Sequence, residues 1–260
     1  MSCENKVSSP EDADTVVQKL CCDMGIHRNA RKGTLNAPKK ILEGFKFEKK
    51  VLVDEVFPDE FDLDKTQRRI KENVRDLAKY EKPLISLGGD HSVSYPVIKA
   101  LKSKYPELQL VWLDAHPDLK ERVEDHVSHD VVVRKLLEED FEEDDIWIVG
   151  YTRIDEDEKE YLEDSGLRVY GHDELEKFQR EFNSCEQRVY LSTDIDVLAE
   201  ELAPGTGYPH GELDMEEIEE IIRCVHPDFA DLVEVAPPLD KGEKTVACSK
   251  EILSSLIKQF

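Results

Sequence analysis

The chain lacks any apolar run of the length a membrane span needs, because Lys, Asp or Glu interrupts every hydrophobic stretch. Its opening, Met1-Ser2-Cys3-Glu4-Asn5-Lys6, does not follow the basic, then apolar, then small-residue order of a secretory signal. A soluble, cytoplasmic protein with no membrane partner is the expectation. The six cysteines, Cys3, Cys21, Cys22, Cys185, Cys224 and Cys248, form no Cys-x-x-Cys and no zinc spacing. Reduced thiols are expected in that compartment, and the adjacent pair Cys21-Cys22 receives no role. An excess of basic residues is missing too: 59 acidic face 35 basic residues, for a net charge of −24. This argues strongly against nucleic acid as a partner, since phosphate binding needs a basic face. It mildly favours cationic small substrates, although an acidic surface also serves solubility alone. Gly88-Gly89 lacks the Lys-Ser/Thr continuation of a phosphate-binding loop. Ser92 sits in Asp-His-Ser rather than Gly-x-Ser-x-Gly, which argues against a serine nucleophile.

What is present is an alternation of strand-like and helix-like segments. Leu84-Ile85-Ser86-Leu87, Gln109 to Leu113, Ile146 to Tyr151, Leu167 to Tyr170, Arg188 to Leu191 and Leu232 to Val235 read as strands, as does Lys50 to Phe57. Asp64 to Tyr80, Ser92 to Leu101, His126 to Leu137, Asp155 to Asp164, Asp173 to Phe182 with Asp173 as cap, Asp214 to Val225 and Thr245 to Ile257 read as helices. Asn36-Ala37-Pro38 looks like the start of a short helix. Gly25 to Gly33 reads as a loop, Met1 to Asp12 as a loosely held start, and Ala13 to Met24 is open between helix and strand. The fold class expected is α/β: a single-domain three-layer α/β/α protein with a mainly parallel sheet. Residues 1–24 form an N-terminal segment, partly disordered, and 25–260 the domain. No repeat, low-complexity tract or long linker divides the chain.

Three strand-like runs each end in a cluster of metal-binding side chains: Gly88-Gly89-Asp90-His91-Ser92, Asp114-Ala115-His116-Pro117-Asp118, and Ser192-Thr193-Asp194-Ile195-Asp196. Clusters at the carboxyl ends of parallel strands converge on one crevice. Carboxylates following buried strands are costly unless paired or metal-bound. Asp114, His116 and Asp118 share a parity that points them one way while extended geometry lasts, and so do Asp194 and Asp196. The six ligands His91, Asp114, His116, Asp118, Asp194 and Asp196 suit two divalent cations with room for water. Carboxylates with two imidazoles and no thiolate favour Mn²⁺, with Zn, Co or Fe behind. Such a pair activates water, which points to a metallohydrolase.

On these motifs the chain resembles the ureohydrolases, the family of arginase and agmatinase. Gly-Gly-Asp-His-Ser, Asp-Ala-His-x-Asp and Ser-x-Asp-x-Asp stand in the family's order. Ala203-Pro204-Gly205-Thr206-Gly207 and Glu234-Val235-Ala236-Pro237-Pro238-Leu239-Asp240 continue the likeness, which covers roughly residues 25 to 257. The resemblance implies an arginase-like fold and two Mn²⁺ per subunit. His91, Asp114, Asp118 and Asp194 would hold one ion, and Asp114, His116, Asp194 and Asp196 the other. It implies hydrolysis of a linear guanidine C–N bond of a small cationic guanidino substrate, releasing urea. Asp118 would carry a proton to the leaving nitrogen, His129 would shuttle protons or touch substrate, and Glu234 would pair with the guanidinium. Without the resemblance, His129 reads as a surface His at a helix start and Glu234 as a strand-end carboxylate. Asp90 would orient a ligand or its loop. A homo-oligomer, trimer or hexamer, follows by family analogy.

The chain departs from the pattern at Val197-Leu198-Ala199-Glu200, where the family runs to Asp-Pro, and at Tyr208, Glu212 and Ala236. Arginases carry Asn where Lys120 stands. The shorter loop ending in Ser128-His129 looks more like agmatinases, and Glu121, Glu124 or Asp125 would suit agmatine's amine. Agmatine is the expected substrate, with arginine, a guanidino acid or a formimino compound as alternatives. A relative that keeps the fold without catalysis usually loses a ligand, and all six are present here.

Overall fold

The computed structural model describes residues 5–26, 32–121, 126–182 and 187–260. The elements follow in chain order: β1 (Lys6–Val7), β2 (Thr15–Leu20), α1 (Ala37–Leu42), β3 (Val51–Val56), α2 (Leu63–Leu77), β4 (Leu84–Gly88), α3 (Ser94–Lys104), β5 (Gln109–Leu113), α4 (Val132–Glu139), β6 (Ile146–Tyr151), α5 (Glu156–Asp164), β7 (Arg168–Gly171), α6 (Leu175–Glu181), β8 (Val189–Asp194), α7 (Met215–Val225), β9 (Phe229–Val233) and α8 (Lys244–Gln259). The strands form one nine-stranded sheet in the order β1-β3-β2-β4-β9-β8-β5-β6-β7, and every pairing is parallel.

Alternation along each strand feeds two apolar layers. Leu84, Leu110 and Trp112 pack with Ile70, Val97 and Val132 of α2, α3 and α4. Ile85, Val111 and Leu113 pack with Ile41, Phe178, Ile221 and Leu253 of α1, α6, α7 and α8. Every residue of β4, β5 and β9 is buried, as expected of strands covered on both faces. Each fully buried Val, Leu or Ile side chain contributes about 1.5–3 kcal/mol. The α/β/α expectation holds.

The N-terminal segment differs from expectation. β1 and a 3₁₀ turn (Pro10–Asp12) lie in the supposedly loose start. β2, in the stretch left open between helix and strand, is an interior strand between β3 and β4. Val16, Val17 and Leu20 are buried there, so the sheet runs through the boundary drawn at residue 25. Asp173 does not cap α6 with its side chain; a 3₁₀ turn (His172–Glu174) intervenes. The helix expected from His126 starts as a 3₁₀ turn at His129 and becomes α-helical at Val132. β9 stops at Val233 because Glu234 adopts φ 60°, which ends the extended run before Val235. Of the expected 25–33 loop, residues 27–31 lie outside the described residues. Cys21, Cys22, Cys224 and Cys248 are free thiols, and Cys3 and Cys185 lie outside the described residues. Among the described residues no helix is long and apolar enough to cross a membrane.

The chain crosses from β4 to β5 and only later fills the gap with β8 and β9, so β4, β9, β8 and β5 stand side by side. With strands about 4.8 Å apart, their carboxyl ends share one crevice at a switch in strand order.

Candidate active site

The side chains picked from the three motifs meet above those four strands. His91 Nδ1 lies 3.1 Å from Asp114 Oδ2, 3.4 Å from Asp118 Oδ2 and 3.3 Å from Asp194 Oδ2. His116 Nδ1 lies 3.1 Å from Asp196 Oδ2 and 3.5 Å from Asp114 Oδ1. Two groups of candidate ligand atoms result, His91 with Asp114 and Asp118, and Asp114 with His116 and Asp196, each within 4.8 Å of one another. Asp114 belongs to both.

Local turns, more than strand parity, aim these groups. Asp114 Oδ1 accepts from the backbone N–H of His116 at 2.7 Å, and Asp194 Oδ1 from that of Asp196 at 2.8 Å. Asp194 is the last residue of β8, while Asp196 sits in a 3₁₀ turn (Ile195–Val197). Extended geometry does not reach Asp118, whose φ of 52° swings its carboxylate back to His91. Asp90, next to His91 in the chain, is buried. It accepts from Gly25 N at 2.8 Å, from Ser92 N at 3.0 Å, and from the Ser92 hydroxyl.

Glu234 and His129, placed far apart in sequence, adjoin the cluster. Glu234 Oε1 accepts from His91 N at 2.8 Å and lies 3.5 Å from His129 Nδ1. A cavity of about 160 Å³ opens over Asp118, His116, Asp194, Asp196, His129 and Glu234. Tyr208 also lines it, edge-on to His116 at 5.6 Å and stacked toward His129 at 6.4 Å between ring centres. The departure at Tyr208 therefore falls on the cavity wall. Glu212 instead pairs with His172 at 3.0 Å. Glu121 is exposed and lies 3.6 Å from Arg134, outside the cavity lining, while Glu124 and Asp125 lie outside the described residues.

Burial pushes the Asp118 and Asp194 carboxyls well up, reinforced by the neighbouring Asp114 and Asp196 charges. Burial likewise raises Asp196 and Asp90 to about 6, with Asp114 and Glu234 respectively adding repulsion. For Asp114 burial acts upward, but the adjoining His116 and His91 imidazoles hold it well below the carboxylate range. Burial disfavours charge on His91 and His116, yet the acids around them raise the two to about 9 and about 12. His129 is raised by Glu234 against the same burial.

This donor set fits divalent cations. His91 Nδ1 and Asp114 Oδ2 are buried without a hydrogen-bond partner, and four buried carboxylates crowd two imidazoles with no other cation among the cluster. Hard oxygen and imidazole nitrogen without sulfur is the chemistry of Mn²⁺ and its neighbours.

Several site residues escaped the sequence reading. Glu158 accepts from Leu119 N and Asp155 N, both at 3.1 Å, and so pins the backbone just after Asp118. The Asp-x-x-Glu spacing of Asp155 and Glu158, a capping box, was the available signal. Ser192 and Trp112 hold His91 from below, the first at 2.9 Å from Nε2 and the second stacked at 3.9 Å. Asp231 signalled itself as an acid inside an apolar strand. Burial raises its pKa against the opposing pull of His91 and of hydrogen bonds from Tyr190 and Ser192.

An all-parallel α/β sheet carrying a buried carboxylate–imidazole cluster at the carboxyl ends of adjacent strands defines a hydrolase-type architecture. Residues 13–258 match the model of the arginase family. The agmatinase of Bacillus anthracis is 35% identical over 197 residues, covering 72% of this chain and 68% of that protein. The guanidinobutyrase of Pseudomonas aeruginosa is 33% identical over 191 residues, covering 66% and 59%. In fold, the chain is similar to the proclavaminate amidino hydrolase of Streptomyces clavuligerus, with a TM-score of 0.85 at 24% identity over 96% of this chain and 93% of the other. The chain belongs to the arginase family. It is a ureohydrolase, similar to agmatinases.

Proposed function

We propose that the chain hydrolyses the alkyl C–N bond of a small linear guanidino compound and releases urea, with agmatine as substrate and putrescine as the other product. The observation that carries this reading is the convergence of His91, Asp114, His116, Asp118, Asp194 and Asp196 beneath a cavity whose wall holds Glu234 and His129. Agmatine is supported by the agmatinases among the relatives. His91, Asp114, Asp118 and Asp194 would hold one Mn²⁺, and Asp114, His116, Asp194 and Asp196 the other. When bound, the pair supplies a water activated at neutral pH and charge stabilisation at the reacting carbon.

The remaining steps belong to the protein. Glu234 Oε1 already receives His91 N–H, so Oε2 is the oxygen that takes a guanidinium N–H, and the negative charge selects the planar cation. As water adds to the guanidinium carbon, Asp118 accepts its proton at a carboxylate oxygen and passes it to the alkyl nitrogen, which departs as an amine. His129 leans Nδ1 on Glu234, and its buried Nε2, without a hydrogen-bond partner, is the atom that exchanges a proton with the departing amine.

One observation favours a second substrate reading. Lys120 and Arg153 line the cavity and share one carboxylate, Asp155, at 2.7 and 3.3 Å. Two cations on one acid suit a substrate with a carboxylate at its far end, such as guanidinobutyrate. The test is urea release by Mn²⁺-loaded protein from agmatine, arginine and guanidinobutyrate side by side. The highest kcat/KM on agmatine supports the first reading, and on guanidinobutyrate the second. No urea from any of them, with manganese bound, overturns both.

A further inference from the structure

β9 carries an acid where a sheet interior calls for an apolar residue: Phe229-Ala230-Asp231-Leu232-Val233, all five buried. Asp231 has no exposed surface and stands between β4 and β8. Its Oδ2 accepts from Tyr190 Oη at 2.7 Å, and its Oδ1 from Ser192 Oγ at 2.8 Å and Thr193 N at 3.2 Å. Burying an ionised carboxylate costs several kcal/mol before such bonds offset it, and a Val or Leu would fill the position without that cost. Packing alone gives no reason for the acid.

The strand register supplies one. Ser192 lies opposite Asp231 on β9 and opposite Trp112 on β5. The same Ser192 Oγ is 2.9 Å from His91 Nε2, and the His91 imidazole lies flat on Trp112, ring centres 3.9 Å apart and planes within 8°. A serine hydroxyl has a single proton to give. The Asp231 carboxylate, which only accepts, takes it. Oγ must then accept at its other side, and the donor there is Nε2–H of His91. In the neutral ring, the form that binds a metal, the proton on Nε2 leaves the lone pair on Nδ1, the atom that faces Asp114, Asp118 and Asp194.

We propose that Asp231 is a positioning residue that acts through Ser192 on His91, fixing the ring's tautomer and orientation so that Nδ1 is presented to a divalent cation. The Trp112 face fixes the plane of the ring, and the Asp231–Ser192 pair fixes its rotation within that plane. The inference rests on the reading of the cluster as a metal centre.

Titration of the metal-free protein with Mn²⁺, followed through the electron spin resonance of the free ion, tests it without any substrate. Partners of this kind are typically worth about 10–100-fold in metal affinity. Ser192→Ala is expected to weaken one Mn²⁺ binding step by that factor. Tyr190→Phe removes a different hydrogen bond to Asp231 and leaves the link to His91 whole, so its affinity should match wild type even where its thermal stability falls. Asp231→Asn should weaken binding in the wild-type background and add nothing to Ser192→Ala, because a link already cut cannot be cut again. Wild-type affinity in Ser192→Ala overturns the inference, and so does an equal loss in Tyr190→Phe, which would mean that general loosening of the sheet is enough. A wild-type protein that takes up no Mn²⁺ overturns the inference together with the reading beneath it, and is distinguished from the other outcomes by that lack of uptake.

Discussion

Gly89 shows how closely the site depends on single positions. A Cβ there would stand 1.6 Å from the carbonyl oxygen of Cys22. Its own carbonyl accepts from Glu234 N at 2.8 Å, and the next residue, Asp90, donates its N–H to Cys22 O at 2.9 Å. Gly89 thus lets the end of β4 pass between the exit of β2 and the end of β9, and that path delivers Asp90 and His91 to the cluster. The obstacle is backbone and cannot rotate away. Gly89→Ala is expected to cost about 1–3 kcal/mol or more, as overpacking does, and to lower Mn²⁺ uptake with it. A denaturant midpoint equal to wild type would remove the close approach as the reason for glycine. Two other residues at this scale, Asp118 at φ 52° and Glu234 at φ 60°, hold left-handed conformations that side chains rarely adopt. Both line the cavity, so the surrounding hydrogen bonds hold the strain where the chemistry is.

Among the elements, α3 and α4 are joined by a charged knot around Glu139. Lys99 and Lys135 pair with it, the latter at 2.6 Å, and Tyr95 Oη donates to it at 2.7 Å. Burial pushes the Glu139 carboxyl up, but the bonds from Lys135, Lys99 and Tyr95 outweigh it and bring it down to about 2. A folded-state pKa below the ordinary value of 4.5 means stability that is present above pH 4.5 and lost as pH falls toward 2. The knot is half-buried at the surface and still screened by solvent, so its worth is on the order of 1 kcal/mol. Urea unfolding of wild type and Glu139→Gln should therefore differ most above pH 4.5 and converge near pH 2; a gap independent of pH would assign the difference to packing. Elements of this kind were legible where apolar periodicity was strong. Ile218, Ile221 and Ile222 on one face of α7 gave that helix, and the unbroken runs of β4, β5 and β8 gave the strands that carry the site. Less legible was β2, whose Gln18 and Lys19 interrupt the apolar pattern although Gln18 is buried against Ser86 at 3.2 Å. The three ligand motifs were readable because each combines residue types that an ordinary strand end has no use for. Ser192 was seen only as part of its motif, since a serine's role depends on what lies across the sheet.

The whole molecule gathers its candidate ligands from two distant stretches, 91–118 and 194–196, and closes them with Glu234. Four carboxylates are buried together there, and burial, with the neighbouring acids behind it, pushes Asp118 and Asp194 up. A divalent cation can bind this arrangement only when both stretches are in place, so binding free energy becomes folding free energy. At a free concentration of a hundred times its dissociation constant, one such ion adds about 2.7 kcal/mol to stability. For a chain of 260 residues, where each kcal/mol moves Tm by about 2–4 °C, Mn²⁺ is expected to raise Tm by roughly 5–10 °C and EDTA to reverse it. Asp194→Asn should lose most of this rise while folding as well as wild type without metal, because it removes one of the mutually repelling charges. A Tm that ignores both Mn²⁺ and EDTA would count against a metal at this site. The net charge of −24 adds a further signature: its field concentrates cations near the surface, so the apparent Mn²⁺ affinity should fall as NaCl is raised, whereas the buried geometry that selects the ion does not change with salt.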